Sequence, residues 1–381
     1  MTAGPTPIPP RVSQVMAEPV LYHRAPAFVE LYARVLEKLP RIFRTANDVL
    51  TFAASGSGAM ESAMANLVRP GTPVLACAAG KFGERWIELA EAYGADVVTH
   101  VPSWGQRLDP VEIDRLLDDS GRIEVVFATL SETSTGIVHD IRAISDVVRR
   151  HGALLVVDAV SGLGATDLRQ DEWGIDVVVS GSQKALMCPP GLSFAAVSQR
   201  ALDRAAQRPG GRYYLDWART AAGQRKSPPD SPFTPAVTLF AALDAALDLI
   251  EEEGLDAVLE RHALLARATR AGVAALGLEL FGDPDERSTV VTAISLPADV
   301  DGGRVPGALR RLGITANGGQ NQLKGRIIRI AHCGYFGAFD ILTSLSGLEM
   351  ALESLGHRVD FGAGVGAAQR VFADAGVPVV N

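Results

Sequence analysis

The stretch IDVVVSGSQKAL (residues 175–186) places Lys184 directly after an apolar run that predicts a buried strand. Lysine is among the residues least often buried, because moving its ammonium group out of water is costly. A lysine at a strand end among small residues is therefore either an ordinary surface lysine in a turn or a desolvated amine. A desolvated lysine acts as a base or forms a Schiff base with a carbonyl cofactor.

A second apolar run, LLVVDAVSG (residues 154–162), ends its predicted strand at Asp158. Ligands of open α/β sheets bind at the carboxyl ends of the strands, and Asp158 and Lys184 both lie at such ends. Pyridoxal phosphate requires this pair, since a lysine holds its aldehyde carbon and an acid partners its pyridinium nitrogen. Each residue alone is ambiguous, but together they predict a pyridoxal-phosphate enzyme.

A glycine-rich turn, SGSGA (residues 55–59), joins a predicted strand to a predicted helix. Backbone N–H groups at such a helix start bind phosphate groups. The turn could also be part of a dinucleotide-binding fingerprint, but Glu61 stands where that pattern requires its third glycine. A nicotinamide-dependent dehydrogenase is therefore disfavoured.

Strands and helices alternate from residue 49 to residue 197, which predicts a mostly parallel sheet with helices on both faces. After residue 212 the pattern changes to long helices with a few strands, as in a smaller α+β domain. We expect three parts: a proline-rich, extended N-terminal arm (1–20), a large cofactor-binding domain (21–254) and a small C-terminal domain (255–381).

The composition is that of an ordinary globular protein, with 381 residues, 47% of them hydrophobic and 21% charged. A formal net charge of −8 predicts neither a nucleic-acid partner nor an anionic membrane partner. The cysteines Cys77, Cys188 and Cys333 form no C-x-x-C pair, so we expect no disulfide framework and no metal site. The sequence shows neither a secretory signal nor a membrane span of about 18 apolar residues, so we expect a cytoplasmic protein.

The segments SGSQKAL (180–186), PPG (189–191) and DAVSGLG (158–164) resemble the class V aminotransferases. Within that family the chain resembles the alanine–glyoxylate, serine–glyoxylate and serine–pyruvate aminotransferases, from residue 4 to about residue 355. The resemblance implies a fold type I pyridoxal-phosphate transferase with a seven-stranded sheet and a homodimer with active sites at the interface. It also implies transfer of an amino group from alanine or serine to a 2-oxo acid, glyoxylate or pyruvate.

The resemblance places a set of residues around the cofactor, with Lys184 and Asp158 as the catalytic pair. The other cofactor contacts that it implies are Ser57, Gly58, Ala59 and Gln183 at the phosphate, and Phe82, Thr133 and Val160 at the ring. Phe82 suits the role because aromatic rings stack in offset geometry, although a phenylalanine at a helix start can also belong to the core. Thr234 matches a threonine that reaches the phosphate in the partner subunit, and Ser231 stands where some relatives have a tyrosine.

The substrate carboxylate requires a cation, and arginine suits bidentate capture of a carboxylate. The resemblance assigns this role to Arg329 in the strand RIIRIA (326–331), with Arg326 as the alternative, and it also places Gly4 at the substrate. A ureidoglycine–glyoxylate aminotransferase remains an alternative. So does a lyase or cysteine desulfurase on the same fold, for which Cys333 is the candidate nucleophile.

Overall fold

The computed structural model describes residues 1–208, 210–283 and 287–376. The strands are β1 (Val49–Phe52), β2 (Pro73–Cys77), β3 (Asp96–His100), β4 (Val125–Thr129), β5 (Ser131–Glu132), β6 (Ile137–Val138), β7 (Leu154–Asp158), β8 (Val177–Gly181), β9 (Ser193–Val197), β10 (Val291–Ser295), β11 (Asn317–Gly318) and β12 (Ile327–Ala331). The helices are α1 (Pro10–Met16), α2 (Pro26–Phe43), α3 (Gly56–Leu67), α4 (Lys81–Ala92), α5 (Pro110–Ser120), α6 (Ile141–Arg150), α7 (Gln170–Trp173), α8 (Gln199–Ala206), α9 (Trp217–Gln224), α10 (Val237–Glu253), α11 (Leu255–Ala275), α12 (Val305–Arg311), α13 (Ala338–Ser354) and α14 (Ala363–Asp374). Among these helices, none has the length and apolar character needed to cross a membrane.

Seven strands form the main sheet in the order β1-β9-β8-β7-β4-β2-β3. Only β9 runs against its neighbours, pairing antiparallel with both β1 and β8. The pairs β8–β7, β7–β4, β4–β2 and β2–β3 are all parallel. The prediction of a mostly parallel, seven-stranded α/β sheet is confirmed. Parallel pairing brings the carboxyl ends of β7 and β8 to one edge of the sheet, where Asp158 and Lys184 lie.

The continuous apolar runs of the central strands are buried on both faces of the sheet, as parallel sheets require. Along β4, Val126 and Ala128 point into one apolar core, which includes residues of α2, α5, α6 and α10. Val125 and Phe127 point into the opposite core, which includes residues of α3, α4, α8 and α9. The sheet thus forms the middle of three layers, and it gives the residues at its edge a rigid support.

The C-terminal part builds a separate apolar core on a small antiparallel sheet in the order β10-β12-β11. Side chains of α11, α13 and α14 cover this sheet, among them Leu345 and Phe372. Ala3 of the N-terminal arm belongs to the same core, so the arm reaches from α1 to the C-terminal part. The predicted domain boundaries at residues 20 and 254 stay predictions, and residues 377–381 lie outside the described ranges.

The expectation of an extended arm over residues 1–20 is wrong for its second half. Residues Pro10–Met16 form helix α1, which packs with α10. Proline is compatible with the first position of a helix, where its missing N–H would have no intrahelical partner. Prolines in the arm therefore mark the start of a helix as well as an extended segment. The short elements α7, α8, α9, α12 and β11 were not predicted, because a few residues carry too little periodicity.

Candidate active site

Lys184 lies three residues beyond β8 with only 7% of its surface exposed. Its Nζ donates a hydrogen bond to the carbonyl oxygen of Ala3, in the N-terminal arm. Burial lowers the pKa of Lys184, and the positive charge of Arg329 acts in the same direction. The lysine is therefore a desolvated amine whose charged form is disfavoured by burial, and the reading of an ordinary surface lysine is wrong.

Asp158 is the last residue of β7 and is 4% exposed. Its Oδ1 accepts a hydrogen bond of 2.8 Å from the backbone N–H of Val160. Burial raises the pKa of Asp158 to about 6, the negative charge of Glu132 contributes to the rise, and the Lys184 charge opposes it. Asp158 in turn raises the pKa of Lys184. The two groups therefore influence each other across neighbouring strands, as the sequence predicted.

The glycine-rich turn opens helix α3, whose N-cap residue Ser55 makes no side-chain hydrogen bond to the helix. A Cβ on Gly56 would lie 2.6 Å from Cγ2 of Val160, and a Cβ on Gly58 would lie 2.6 Å from Cβ of Ala54. The turn thus packs against its surroundings in a way that only glycine allows. Because α3 starts without a side-chain cap, N–H groups of its first turn, which includes Ser57 and Ala59, can bind an anion.

Gln183 lies beside this turn. A Cβ on Gly181 would lie 2.8 Å from Oε1 of Gln183 and 3.4 Å from Cα of Gly56, so the glutamine side chain and the turn converge on one point. Oε1 of Gln183 is buried and has no hydrogen-bond partner. Because phosphate oxygens accept hydrogen bonds, a phosphate at this helix start would be bound by the NH₂ group of Gln183, with the positions of Oε1 and Nε2 exchanged.

Phe82 lies in the first turn of α4 and is partly exposed. The guanidinium carbon of Arg85 lies 5.4 Å from the centroid of the Phe82 ring. The backbone N–H of Phe82 donates a 3.0 Å hydrogen bond to Oε2 of Glu132. The ring is therefore attached to an anchored helix start and keeps part of its surface open.

Thr133 follows β5, and its Oγ1 is buried without a hydrogen-bond partner. Its backbone carbonyl accepts a 2.7 Å hydrogen bond from Nη1 of Arg329. A buried hydroxyl without a partner costs free energy, which a ligand oxygen can recover. The structure thus joins Thr133 to the predicted carboxylate-binding arginine through the backbone.

Arg329 lies in β12 with 5% of its surface exposed. Nε and Nη2 donate hydrogen bonds of 3.0 and 2.9 Å to the carbonyl oxygen of Gly318. Burial lowers the pKa of Arg329, and the negative charge of Glu132 opposes this effect. Arg326 is exposed and lines a separate cleft with Trp104 and Phe281. The influence of Arg329 on Lys184 favours Arg329 over Arg326 as the substrate arginine.

Gly4 lies against the amine of Lys184. A Cβ on Gly4 would lie 2.5 Å from both Cε and Nζ of Lys184, and its φ of +136° is one that side chains rarely allow. The carbonyl of Ala3 bonds to the same amine. The family resemblance places Gly4 at the substrate but not Ala3, since a contact through a backbone carbonyl leaves no signal in the residue type.

Thr234 is exposed and lines a small hollow with Phe52, Ala53 and Tyr214. None of the other predicted cofactor or substrate residues lines that hollow. Ser231 lines the same hollow. The structure of one chain therefore does not bring Thr234 together with Lys184, and its predicted reach into a partner subunit stays a prediction.

All three cysteines are buried and unpaired. Burial raises the pKa of the Cys333 thiol to about 11, although the positive charge of Lys184 lowers it. A nucleophilic cysteine has to be accessible and present as thiolate. Cys333 meets neither condition, so the cysteine desulfurase alternative loses its nucleophile.

The residues at the sheet edge fit pyridoxal phosphate. They supply a desolvated amine, a buried carboxylate, a glycine cradle at a helix start, and unpartnered polar atoms on Thr133 and Gln183. The amine matches the aldehyde of that cofactor, the carboxylate its ring nitrogen, the glycine cradle its phosphate and the Thr133 hydroxyl its ring oxygen. The fold and site together define a pyridoxal-phosphate transferase.

The comparisons with known proteins agree with this class. The sequence pattern of the class V aminotransferases matches residues 2–329. A serine–glyoxylate aminotransferase from Methylorubrum extorquens is 37% identical, covering 96% of this chain and 93% of the relative. The crystal structure of ureidoglycine–glyoxylate aminotransferase from Bacillus subtilis matches with a TM-score of 0.94 at 33% identity, covering 98% of this chain and 97% of that one. The chain belongs to the class V aminotransferases and is a pyridoxal-phosphate-dependent transaminase.

One similar protein carries a different kind of name. A protein from Synechococcus, called soluble hydrogenase, small subunit, is 41% identical and covers 98% of both chains. Iron–sulfur centres are held by sets of cysteine thiolates. Within the described ranges, the one group of three or more potential metal ligands is the surface set Asp114, Asp118 and His151, which includes no cysteine. The residues of this chain therefore support transaminase chemistry.

Proposed function

We propose that the protein transfers an amino group from a small amino acid, alanine or serine, to glyoxylate or pyruvate. The observation that carries the proposal is the convergence of Asp158 and Arg329 on the buried amine of Lys184, since the charges of both act on that amine. The similarity to the serine–glyoxylate enzyme and to the ureidoglycine–glyoxylate enzyme supports glyoxylate as the acceptor.

Lys184 is the proposed base and acid of the reaction. Bound pyridoxal phosphate supplies a carbonyl for the amino group and a ring that accepts electrons. Burial lowers the pKa of Lys184 and so makes the neutral form of Nζ easier to reach; in that form it could take the proton from the substrate Cα and pass it to the cofactor carbon that would receive the amino group. The hydrogen bond to the Ala3 carbonyl holds Nζ in place.

Asp158 is proposed to stabilise the proton on the ring nitrogen. Its carboxylate is buried and fixed by the Val160 N–H, so its position is set before the cofactor binds. A buried anion interacts strongly with a cation placed beside it, because the local dielectric is low. The same burial raises the pKa of Asp158, because it disfavours the carboxylate unless a cation lies beside it.

Arg329 is proposed to hold the substrate carboxylate and thereby orient the Cα–H bond toward Lys184. Its guanidinium is anchored by two carbonyl oxygens, those of Thr133 and Gly318, so it is fixed before substrate binds. Orientation by a fixed group removes part of the entropic barrier of the reaction. Gly4 and Ala3 lie directly at Lys184, which leaves little space beside the amine and supports a small donor.

We also propose a cytoplasmic homodimer in which Thr234 of one subunit completes the site of the other. The aromatic side chains of Tyr213, Tyr214 and Phe233 contact one another near Thr234, and Tyr213 is 65% exposed. Large exposed aromatic side chains are typical of interfaces. Ureidoglycine as donor is the second candidate, supported by the similarity to the Bacillus subtilis enzyme.

The test is a screen of amino donors with the purified enzyme. Alanine, serine, aspartate and ureidoglycine would each be offered with glyoxylate or pyruvate, and the formation of glycine or alanine would be measured by chromatography. We expect serine or alanine with glyoxylate to give the highest kcat/KM, with ping-pong kinetics. A preference for ureidoglycine would select the second candidate, and turnover of a dicarboxylic donor alone would contradict the proposal of a small donor.

A further inference from the structure

Glu132 is a buried carboxylate that links two active-site segments. It is fully buried, and its two oxygens accept four hydrogen bonds. Oε2 accepts the backbone N–H groups of Phe82 and Gly83 at 3.0 and 2.9 Å. Oε1 accepts the N–H and the hydroxyl of Ser134 at 3.0 and 2.6 Å. One side chain thus ties the start of α4 to the loop that carries Thr133.

The link is tightened by two further contacts. The hydroxyl oxygen of Ser134 accepts a 3.0 Å hydrogen bond from the backbone N–H of Lys81. Gly80 allows the two segments to approach closely, since a Cβ there would lie 2.5 Å from Cγ of Glu132 and from Oγ of Ser134. Three successive N–H groups at the start of α4 are therefore bound to the loop, and the backbone on both sides has little freedom.

The negative charge of Glu132 also acts on the catalytic groups. Burial raises the pKa of Glu132, and the hydrogen bonds from Ser134, Gly83 and Phe82 act in the opposite direction. When ionised, Glu132 opposes the lowering of the Arg329 pKa by burial and adds to the raised pKa of Asp158. In the described part of the chain, no salt bridge of Glu132 is found, so the helix start and its hydrogen bonds take the place of a cationic partner.

We propose that Glu132 is a positioning residue of the active site, whose carboxylate fixes the Phe82 ring and the Thr133 hydroxyl at the spacing that the cofactor ring requires. This role rests on the transaminase class and does not depend on which donor or acceptor is used. Glu132 touches neither substrate nor cofactor. It acts through Phe82 on one side and through the loop carrying Thr133 on the other.

The substitution Glu132→Gln removes one acceptor and keeps the shape of the side chain. Turned toward α4, its NH₂ group faces the backbone donors of Phe82 and Gly83; turned toward Ser134, it faces one backbone N–H and a hydroxyl that can rotate to accept. In either orientation at least one backbone N–H loses its acceptor, so one of the two segments is held less tightly. The loss should appear in the cofactor site as well as in stability, because Phe82 and Thr133 lie on the released segments.

Glu349 offers a matched control in the C-terminal part. It is 2% exposed, and its two oxygens accept the backbone N–H groups of Gly362 and Gly364 at the start of α14. Glu349→Gln therefore makes the same chemical change at a helix start away from the sheet edge. Both variants and the wild type would be compared in three measurements: the dissociation constant of pyridoxal phosphate, the visible circular dichroism of the bound cofactor, and chemical unfolding without cofactor.

We expect Glu132→Gln to weaken cofactor binding at least tenfold and to change the visible dichroism, while Glu349→Gln alters neither. Gly80→Ala keeps every charge and hydrogen-bonding group, but its added methyl group pushes against Glu132. It should therefore change cofactor affinity and visible dichroism in the same direction as Glu132→Gln, and it replaces that variant if Glu132→Gln does not fold. If both sheet-edge variants lose only stability, as Glu349→Gln does, the proposal is wrong. A wild-type enzyme that prefers another donor would alter the proposed function without affecting this result.

Discussion

Buried polar groups at the carboxyl edge of the main sheet differ from the buried groups of His332 and Glu349 in the C-terminal part. At the sheet edge, Thr133 Oγ1 and Gln183 Oε1 are buried without partners, and Lys184 is a buried amine. In the C-terminal part, both ring nitrogens of His332 are hydrogen-bonded, to Thr292 and to the carbonyl of Thr289, and both oxygens of Glu349 accept N–H groups.

The difference indicates which buried polar groups serve ligand binding and which serve folding stability. Unpartnered buried polar groups cost free energy, and proteins keep them where function requires them. Substitutions of Lys184 or of the unpartnered groups at the sheet edge should therefore reduce function while leaving the stability of the cofactor-free protein unchanged or raised. Substitutions of the paired groups in the C-terminal part should do the opposite. This contrast can be tested residue by residue.

The largest effect is expected for Lys184→Met. Methionine keeps the length of the side chain but has no amine, so turnover should fall by at least a thousandfold, as for the loss of a general base. Because the pKa of Lys184 is lowered, protonation of this amine opposes folding at neutral pH, and its removal should not destabilise the cofactor-free protein. Steady-state turnover measures the effect on activity, and urea unfolding measures the effect on stability. Full turnover in the variant would show that Lys184 is not the general base.

The next effect is expected for Arg329→Gln. Removing one partner of a buried charge pair costs about 2–5 kcal/mol, so kcat/KM for the amino acid should fall by about thirtyfold or more. The loss should lie mainly in KM, since the carboxylate is bound in both the ground state and the transition state. Arg326→Gln is the matched control, because Arg326 is exposed in the same strand region. Equal losses in the two variants would contradict the choice of Arg329.

The effect of Asp158→Asn on stability should depend on pH and should change sign when the cofactor binds. The pKa of Asp158 is raised to about 6 from a usual 3.8, so the folded cofactor-free protein holds this proton more tightly than the unfolded chain. Stability of the wild type should therefore fall as pH rises from about 4 to 6, by about 3 kcal/mol. Asparagine removes this dependence.

The measurement for Asp158→Asn is urea unfolding between pH 4 and pH 8, with and without pyridoxal phosphate. Above pH 6 the cofactor-free variant should be the more stable protein. With cofactor bound the order should reverse, because the ring nitrogen loses its anionic partner. Parallel pH curves for wild type and variant would show that Asp158 does not titrate in the expected range.

The smallest effect is expected for Thr133→Val, which replaces the unpartnered hydroxyl by a methyl group of similar size. Cofactor affinity should fall by only a few fold, since one neutral hydrogen bond contributes about 1 kcal/mol. The cofactor-free protein should be equally or more stable, because a buried unsatisfied hydroxyl has been removed. Fluorescence titration with pyridoxal phosphate and urea unfolding provide the two values, and a clear loss of stability would place Thr133 with the paired groups.

The sequence predicted those parts of the molecule that depend on local patterns. The runs that became β7 and β8 predicted the sheet, and the positions of Asp158 and Lys184 at strand ends predicted the candidate site. Contacts between distant segments were harder to predict. Ala3 lies at Lys184 through a backbone carbonyl, which any residue could supply. Glu132 could not be singled out from the sequence, because its role depends on Phe82, a residue of another segment.

Trapping the cofactor covalently tests the central claim most directly. The protein would be reduced with borohydride in the presence of pyridoxal phosphate, digested and mapped by mass spectrometry. The account predicts that the pyridoxyl group is found on Lys184 and that none is attached in Lys184→Met. Attachment to Lys38, Lys81, Lys226 or Lys324 instead, or a covalent adduct that persists in the variant, would contradict it.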